Sequence, residues 1–295
     1  MERKYCQSTR VVKHGKANGK QRYLCKECGH KFIEGSDFPR MRTKSRIIST
    51  SIDLYFEGLS VRKIQTQVEK LYDISVSQVT IWKWIKKYSD LVKSYVTTLK
   101  PQLSGMWHED ETMVKCEGRN LWFWEMIDEE TRFIVASHLS GTRTFEDTVA
   151  IFKKGFEQSK VRQKAVFVDG SHVYTRAFNK VFYTMRKDTR PELVQRVGVR
   201  TRETNNIVER LHGTLKDRTK PMRGLKAFES TKSILEGYTV HYNFVRPHQS
   251  LKGKTPAQAS GINMKSDWHL LVKEATKYDA LNTQRSNKPL EVLNQ

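Results

Sequence analysis

Three acidic residues stand where a carboxylate could take part in chemistry. Asp110 lies in the middle of a predicted strand, Asp169 ends a short apolar strand, and Glu209 lies on a predicted helix. Oxygen ligands from separate elements are typical of a Mg²⁺ or Mn²⁺ site. Burying a carboxylate without a cation or a partner is costly, so a converging trio predicts bound metal.

Neighbouring acids leave other assignments open. Glu109 and Glu111 flank Asp110 and, by strand alternation, are expected to face away from it. A register that differs by one residue would instead make one of them the ligand. Asp128 begins an acidic turn and is predicted to be a turn residue rather than a ligand.

Basic side chains accompany the acids. His212 and Lys216 follow Glu209 at i+3 and i+7 and share its helical stripe, and Arg143 precedes a predicted helix. Beside a metal site these residues fit a track for DNA phosphates. A charge run is usually a solvated face, however, and a helix-surface histidine is as often structural. The basic segment 191–202 is predicted to be a flexible loop that contacts DNA.

The first 30 residues contain a second possible metal site. Cys25 and Cys28 form a C-x-x-C pair, and 18 residues separate Cys6 from Cys25, a spacing typical of a zinc ribbon. Arg3 occupies the position where a fourth cysteine is expected. His30 could complete the four ligands that structural zinc needs, a cysteine could precede this start, or the site could be degenerate and empty. The other reading is a reduced, partly disordered basic arm.

Composition narrows the class of protein. The 295 residues contain 53 Lys+Arg and 32 Asp+Glu, a net charge of +21, which indicates a polyanionic partner such as nucleic acid. A hydrophobic share of 37% argues against a fully disordered chain. Apolar runs are too short for a membrane span or a secretory signal, so we expect a cytoplasmic protein. Four cysteines do not make a disulfide scaffold, and Cys116 is predicted to be a core thiol.

Apolar spacing predicts three short helices between Met41 and Leu99. Ser60 is the predicted N-cap of the second helix and Ser75 or Ser77 that of the third. We expect one apolar face on the second helix, formed by Val61, Ile64, Val68 and Leu71. The trio matches a helix-turn-helix, although an ordinary three-helix bundle fits the same pattern. The third helix would point amide and lysine side chains at DNA bases and phosphates: Gln78, Lys83, Lys86 and Lys87.

The centre of the chain changes to an α/β pattern. Three strands are predicted at 107–114, 121–127 and 133–138, then a helix after Thr144 with Phe145, Val149, Phe152 and Phe156 inward. A buried strand at 165–168 and helices at 172–181 and 204–216 follow. The order of three strands, helix, strand, helix, strand, helix is that of an RNase H-like core. Beyond 262 we expect an amphipathic helix around Trp268 and a polar tail from about Asn282.

Several segments together resemble DDE transposases of bacterial and archaeal insertion sequences. The three acidic motifs of that family are matched in this chain by Trp107–Thr112, Val168–Gly170 and Asn205–His212. The end of the family's integrase-type core is matched by His241–His248 followed by Lys254–Ala257. The run Gly19–Cys25 resembles the zinc-ribbon heads of these enzymes. The 40 positions from Asp169 to Glu209 slightly exceed the usual family spacing and imply a longer loop between strand and helix.

The resemblance implies an architecture. It gives a zinc-ribbon head at 1–36, a helix-turn-helix domain at 41–100, an RNase H-like core at 104–261 and a C-terminal helix with tail at 262–295.

It also implies an activity. Two Mg²⁺ or Mn²⁺ ions held by Asp110, Asp169 and Glu209 would activate water to cut an element end, and then activate the resulting 3′-OH against target DNA. Zinc would be bound by Cys6, Cys25 and Cys28, with His30 as the candidate fourth ligand. The partners would be double-stranded terminal repeats, target DNA and further copies of the chain, in the nucleoid, with no small-molecule cofactor.

Two other functions remain open from the sequence. One is a sequence-specific regulator that derives from a transposase and no longer cuts DNA. The other is a simple RNase H-like nuclease without strand transfer. The intact acidic trio argues against the regulator, and the DNA-binding head argues against the nuclease.

Overall fold

The fold is taken from a computed structural model that describes residues 9–17, 20–29, 31–33, 38, 41–159, 163–184, 189–196, 206–222 and 225–286. Two of the predicted zinc ligands, Cys6 and His30, lie outside these residues, as does the part of the predicted loop from 197 to 202. Within the described ranges, no helix is both long and apolar enough to cross a membrane.

A small antiparallel sheet forms the N-terminal part. It consists of β1 (Val11–Ala17), β2 (Lys20–Cys25) and β3 (Lys31–Ile33) in that order. The Tyr23 and Phe32 rings stack across β2 and β3 with centroids 5.7 Å apart. Strand β2 ends at Cys25, the first cysteine of the C-x-x-C pair.

Three helices follow, as the apolar spacing predicts. They are α1 (Ser45–Phe56), α2 (Val61–Tyr72) and α3 (Gln78–Val96). Ser60 and Ser77 are the N-caps, accepting hydrogen bonds from the backbone N–H groups of Lys63 and Thr80. Of the two candidate caps for the third helix, Ser77 is the one used.

One face of α2 differs from the prediction. Ile64 and Val68 are buried, but Leu71 is 64% exposed. The last turn of α2 presents Tyr72 to α1 instead, where its hydroxyl lies 3.3 Å from Thr50 Oγ1. Leu71 therefore faces solvent.

A five-stranded sheet forms the centre of the molecule. In the order β6-β5-β4-β7-β8, its strands are β6 (Ile134–Ser140), β5 (Arg119–Asp128), β4 (Met106–Cys116), β7 (Ala165–Asp169) and β8 (Glu192–Arg196). The first three pair antiparallel, whereas β4, β7 and β8 run parallel. The predicted loop 191–202 is wrong over residues 192–196, because this stretch supplies the edge strand that continues the parallel pairing.

Helices cover both faces of this sheet. They are α4 (Phe145–Ser159), α5 (His172–Phe182), α6 (Asn206–Thr219) and α7 (Phe228–Phe244), followed by the short α8 (Pro256–Ala259) and α9 (Trp268–Ser286). A side chain at Gly155 of α4 would meet Met126, whereas His212 of α6 lies beside the next residue along β5, Glu125. Since neighbouring strand residues point to opposite faces, α4 and α6 cover opposite faces. The architecture is the expected RNase H-like α/β fold.

One side chain of α4 is not where the spacing predicts. Val149 and Phe152 are buried, but Phe156 is 54% exposed. It lies at the end of the helix, where its ring meets the edge of Phe182 at 6.1 Å rather than the sheet.

The three N-terminal helices pack on the rest of the chain through α7 and α9. Trp268 of α9 stacks on Phe56 of α1 with centroids 5.4 Å apart, and it donates a hydrogen bond to His241 Nδ1 of α7 at 3.1 Å. The helix continues to Ser286, beyond Asn282, where we predicted a polar tail. Cys116 is buried and accepts a hydrogen bond from Thr231 at 3.2 Å, as expected of a core thiol.

Candidate active site

Two of the three predicted acids meet where β4 and β7 separate. The parallel pairing of these strands ends at His108 and Phe167, whose rings stack at 4.7 Å. Asp110 and Asp169 each lie two residues further on, so they reach the same level on the same face. The strand order reverses between β4 and β7, and ligands of open α/β sheets bind in the crevice that forms there.

A third carboxylate joins them. Asp110, Glu111 and Asp169 offer ligand oxygens that all lie within 4.8 Å of one another. Arg143, which precedes α4, donates to Asp169 Oδ2 at 3.3 Å and forms an ion pair with Glu111. Tyr174 of α5 donates a 2.5 Å hydrogen bond to Glu111. The cluster can hold a divalent cation through oxygen ligands from two strands.

The expectation that Glu111 faces away from this site is wrong. Alternation does point it toward α5, as the bond to Tyr174 shows. However, β7 stops pairing with β4 at His108, so residues 110 and 111 pair with β5 on one side of β4 but with no strand on the β7 side. Side chains from both faces of β4 therefore converge in the open crevice.

The opposite side of Asp110 contains two buried groups. The side chain of His212 on α6 lies between Asp110 and Glu125, with Nδ1 3.8 Å from Asp110 Oδ2 and Nε2 3.7 Å from Glu125 Oε2. His212 is 6% exposed and Glu125 is fully buried. These contacts place His212 behind the acidic cluster, where it can position Asp110.

Glu125 is not among the site residues predicted above, although the sequence contains a signal for its position. The two-residue turn Glu117–Gly118 has positive φ at both positions, as a tight β-hairpin requires. It fixes the register of β4 on β5, which puts Glu125 directly opposite Asp110. Recognising this turn would have located Glu125 beside the site.

Burial and mutual repulsion raise the pKa of several acids here. The pKa of Asp110 rises to about 7, chiefly through burial and then through Glu111. That of Glu125 rises to about 8 through burial and Asp110. The pKa of the fully buried Glu109 also rises well above its usual range, and that of His212 falls to about 4 because of burial and Lys216. Acids that resist ionisation at neutral pH until a cation arrives fit a metal site.

Both carboxylate oxygens of Glu109 and both of Glu125 are without a hydrogen-bond partner among the described residues. A bound cation would favour the ionised form of these groups, since buried charge is costly without compensation. The oxygen donors of Asp110, Glu111 and Asp169 agree with a divalent metal at this crevice.

Glu209 is placed differently from the other two predicted acids. It is exposed on the first turn of α6, one turn before His212. Within the described part of the chain, it does not belong to the three-carboxylate cluster. Its role therefore stays a prediction, supported by the contact of its helix with Asp110.

The predicted DNA-contacting side chains are accessible for the most part. Gln78, Lys83, Lys86 and Lys87 are exposed on α3, and Lys216 is exposed on α6. Gln78 donates to Gln65 of α2 at 3.0 Å. Arg143 instead lies in the acidic cluster. Asp128 was predicted to be a turn residue, but it is the buried last residue of β5, and its carboxylate accepts hydrogen bonds from Ser104 and from Thr131 in the turn that follows.

Known protein families match both parts of this arrangement. Residues 104–248 match a family model described as a DDE domain, and residues 38–119 match one described as transposase, Mutator family. An uncharacterised protein of Methanocaldococcus jannaschii is 26% identical over 220 residues, which cover 73% of this chain and 94% of the relative.

Solved viral structures show a looser likeness. A chain of the simian T-cell lymphotropic virus intasome, solved in complex with the PP2A regulatory subunit B56 gamma, is 14% identical with a TM-score of 0.39. The match covers 55% of this chain and 55% of the intasome chain, so this chain spans only about half of that protein. The HTLV-2 integrase catalytic core domain in complex with magnesium is 14% identical with a TM-score of 0.40, covering 55% of this chain and 98% of that domain.

The two family matches agree with the position of the acids. The DDE domain match spans β4 through α7 and so includes Asp110, Asp169 and the crevice in which they meet. The chain therefore belongs to the DDE transposases, which are enzymes of DNA phosphoryl transfer.

Proposed function

We propose that this transposase binds the ends of an insertion sequence and carries out cleavage and strand transfer at one site, through Asp110, Asp169 and Glu209. The observation that carries this proposal is the convergence of Asp110, Glu111 and Asp169 within 4.8 Å in the crevice of a DDE domain. These acids would hold two Mg²⁺ or Mn²⁺ ions with Glu209 as the third ligand.

The chain's own residues prepare this site. Bound divalent cations would supply stabilisation of phosphoryl charge and water of lowered pKa. Tyr174 fixes Glu111 from one side of β4, and His212 lies against Asp110 from the other, so the carboxylates are held before DNA arrives. Arg143 is 43% exposed and can leave its carboxylates to contact a DNA phosphate.

Glu209 reaches the site from α6 in this proposal. It shares a helical stripe with His212, which already contacts Asp110, and with Lys216. A modest shift of the first turn would bring its carboxylate to the cluster when metal and DNA bind. Lys216 and Arg143 would then lie beside the DNA backbone.

DNA recognition is assigned to α3. Its exposed residues, Gln78, Lys83, Lys86 and Lys87, form one surface with a net positive charge. Such a surface suits the major groove and its flanking phosphates. Cleavage of two ends would require self-association on DNA, as a dimer or a larger assembly.

The N-terminal sheet is proposed to bind one zinc ion through Cys6, Cys25 and Cys28, with His30 as the candidate fourth ligand. Cys25 ends β2, and the backbone N–H of Cys28 donates to Cys25 Sγ at 3.4 Å. An N–H group aimed at a sulfur favours the thiolate that zinc needs. Cys25→Ser should remove about one zinc per chain, whereas Cys116→Ser should keep it. Retention of zinc by Cys25→Ser would contradict this assignment.

The catalytic proposal is tested with charge-removing substitutions of equal size. Asp110→Asn, Asp169→Asn and Glu209→Gln should each abolish Mg²⁺-dependent cleavage and strand transfer while leaving DNA binding intact. Glu229→Gln, an exposed acid on α7, is the matched control. The three losses should be non-additive, because the ligands act as one unit.

Glu111→Gln separates the two candidates for the third acid. As a positioning residue, Glu111 should lower activity only partly when neutralised. Full activity of Glu209→Gln together with complete loss in Glu111→Gln would assign the third ligand to Glu111 instead. DNA binding without any cleavage by the wild-type chain would favour a regulator.

A further inference from the structure

A cavity of about 420 Å³ lies between the N-terminal helices and the end of α6. Tyr55 and Ser60 contribute from α1 and the turn after it, Trp82 from α3, and Arg218 from α6. Ser230 on α7 forms part of another wall. The volume of this cavity is within the range of small-ligand sites. None of the acidic-cluster residues Asp110, Glu111 and Asp169 lines it, so the cavity is separate from the acidic crevice.

Arg218 is the unusual residue of this cavity. It is 3% exposed, and its Nε and Nη2 atoms have no hydrogen-bond partner among the described residues. Its guanidinium lies 3.9 Å from the centroid of the Tyr55 ring. Among the described residues, no carboxylate lies within ion-pair distance of the Arg218 guanidinium. Burial also lowers the pKa of Arg218, with Tyr55 acting against that shift. A buried guanidinium that stays charged needs an anion.

The other walls indicate which anion fits. Trp82 lines the cavity and is partly buried, and its ring meets Tyr55 edge-on at 6.1 Å. Exposed Lys226 adds a second positive charge to the lining, and Ser60 and Ser230 add hydroxyl groups. The guanidinium of Arg218 covers the Tyr55 ring, so Trp82 is the lining ring that can stack on a base, and the cationic and hydroxyl donors suit the phosphate of the same nucleotide. A lone carboxylate would leave the Trp82 ring and the apolar part of the lining unused.

The cavity also lies between the two proposed DNA contacts. Trp82 precedes Lys83 on α3, and Arg218 follows Glu209 by nine residues on α6. Nine residues of helix span about 14 Å, which a DNA strand covers in about four nucleotides. A strand that leaves α3 for the acidic crevice would pass the cavity.

We infer that this cavity binds one unstacked nucleotide of the bound DNA, with its phosphate on Arg218 and Lys226 and its base against Trp82. The cavity has room for a single base, so the nucleotide must leave its neighbours in the stack. This inference rests on the proposed function, because it assumes that DNA reaches the acidic site from α3. The cavity would be a nucleotide site separate from the acidic site and from the exposed surface of α3.

The test compares two variants that change the cavity in different ways. Arg218→Met removes the buried charge at similar size, and Ser230→Phe fills the space while keeping the charge. Lys153→Met, an exposed lysine on α4, is the control for loss of one positive charge. Binding of a fluorescein-labelled single-stranded oligodeoxynucleotide to the full chain is measured by anisotropy over a range of salt concentrations.

Both cavity variants should bind the oligonucleotide about tenfold to a hundredfold more weakly, as expected for the loss of one stacked base. Arg218→Met should also reduce the salt slope by about one contact. In the wild type, 2-aminopurine placed in the oligonucleotide should be quenched on binding, and Trp82→Leu should lose that quenching.

Folding is checked by circular dichroism for each variant. If Arg218→Met does not fold, Ser230→Phe decides by the same readouts. Wild-type affinity and quenching in a folded Ser230→Phe would overturn the cavity site but leave the proposed function standing. If the wild type bound neither this oligonucleotide nor double-stranded element ends, both would be overturned.

Discussion

Arg143 places a positive charge directly on the acidic cluster, through Asp169 and Glu111. Burial raises the pKa of Glu111 and repulsion from Asp169 adds to this shift, whereas the Tyr174 hydrogen bond and the charge of Arg143 lower it. A guanidinium in this position also competes with a metal cation for the same oxygens. The same side chain can therefore stabilise the metal-free site and give way when metal and DNA bind.

Removing this charge should strengthen metal binding. Arg143→Gln is expected to raise the affinity for Mn²⁺ several-fold at pH 8, measured by isothermal titration calorimetry, because one competing positive charge is lost. DNA cleavage should fall at the same time, since a phosphate contact is lost. Arg143→Lys and the exposed Arg119→Gln serve as controls. Unchanged Mn²⁺ affinity would show that Arg143 does not compete.

Glu125 should make the stability of the metal-free protein depend on pH. Its folded-state pKa is raised from 4.5 to about 8, so the folded state holds a proton that the unfolded chain has released. The free energy of unfolding should therefore decrease as pH rises from about 4.5 to about 8, and Asp110 contributes with the same sign.

Glu125→Gln tests this linkage, because an amide does not titrate. The variant should gain thermal stability over the wild type at pH 8 in EDTA and gain little at pH 5. Glu229→Gln should show the wild-type profile. Parallel stability profiles for Glu125→Gln and wild type would contradict the assignment of the proton to Glu125.

At the scale of elements, local patterns predicted the strands and helices but not every contact. Apolar spacing and serine caps located α1, α2 and α3. The expected order includes a fifth strand, but its position in β8 was missed, because Glu192–Arg196 has charged residues at both ends and only two apolar residues between them. Glu111 was misplaced because alternation holds for a closed sheet, and this sheet opens beside it.

Close helix packing leads to a prediction about two glycines. A Cβ atom at Gly237 of α7 would lie 2.6 Å from Phe56 and 2.7 Å from Ser89, which belong to α1 and α3. Gly213 of α6 is exposed, and a Cβ atom there would meet nothing within 4 Å. Gly237→Ala should destabilise by about 1–3 kcal/mol through overpacking.

Gly213→Ala is the matched opposite case. It should stabilise by about 0.5–1 kcal/mol, because alanine loses less backbone entropy in a helix. Urea unfolding of both variants gives the two values. Equal effects of the two substitutions would mean that α7 does not approach α1 and α3 as closely as described.

The C-terminal helix α9 joins the N-terminal helices to the catalytic core, two parts of the chain that the sequence suggested were separate. Its amphipathic pattern around Trp268 was predictable, but its partners were not, since periodicity shows which face is buried and not what covers it. Trp268 contacts both Phe56 of α1 and His241 of α7, and these two rings also contact each other. Because Trp268 donates to Nδ1, His241 must carry its proton on Nε2, which faces Glu57 Oε1 at 3.2 Å.

This junction should couple the stability of the N-terminal helices to that of the catalytic core. Trp268 is 1% exposed, so Trp268→Ala would leave a cavity and an unsatisfied His241 nitrogen. The expected loss is about 3–5 kcal/mol. Leu281→Ala, 46% exposed on the same helix, should cost far less.

Hydrogen exchange distinguishes coupling from local fraying of α9. If Trp268 ties the two parts together, amides of both α1 and α7 should exchange faster in Trp268→Ala and stay protected in Leu281→Ala. DNA cleavage should also fall in Trp268→Ala, although no residue of α9 belongs to the acidic cluster, because α3 would no longer be held at a fixed distance from the crevice. Faster exchange confined to α9, with cleavage unchanged, would show that the helix covers the surface without joining the two parts.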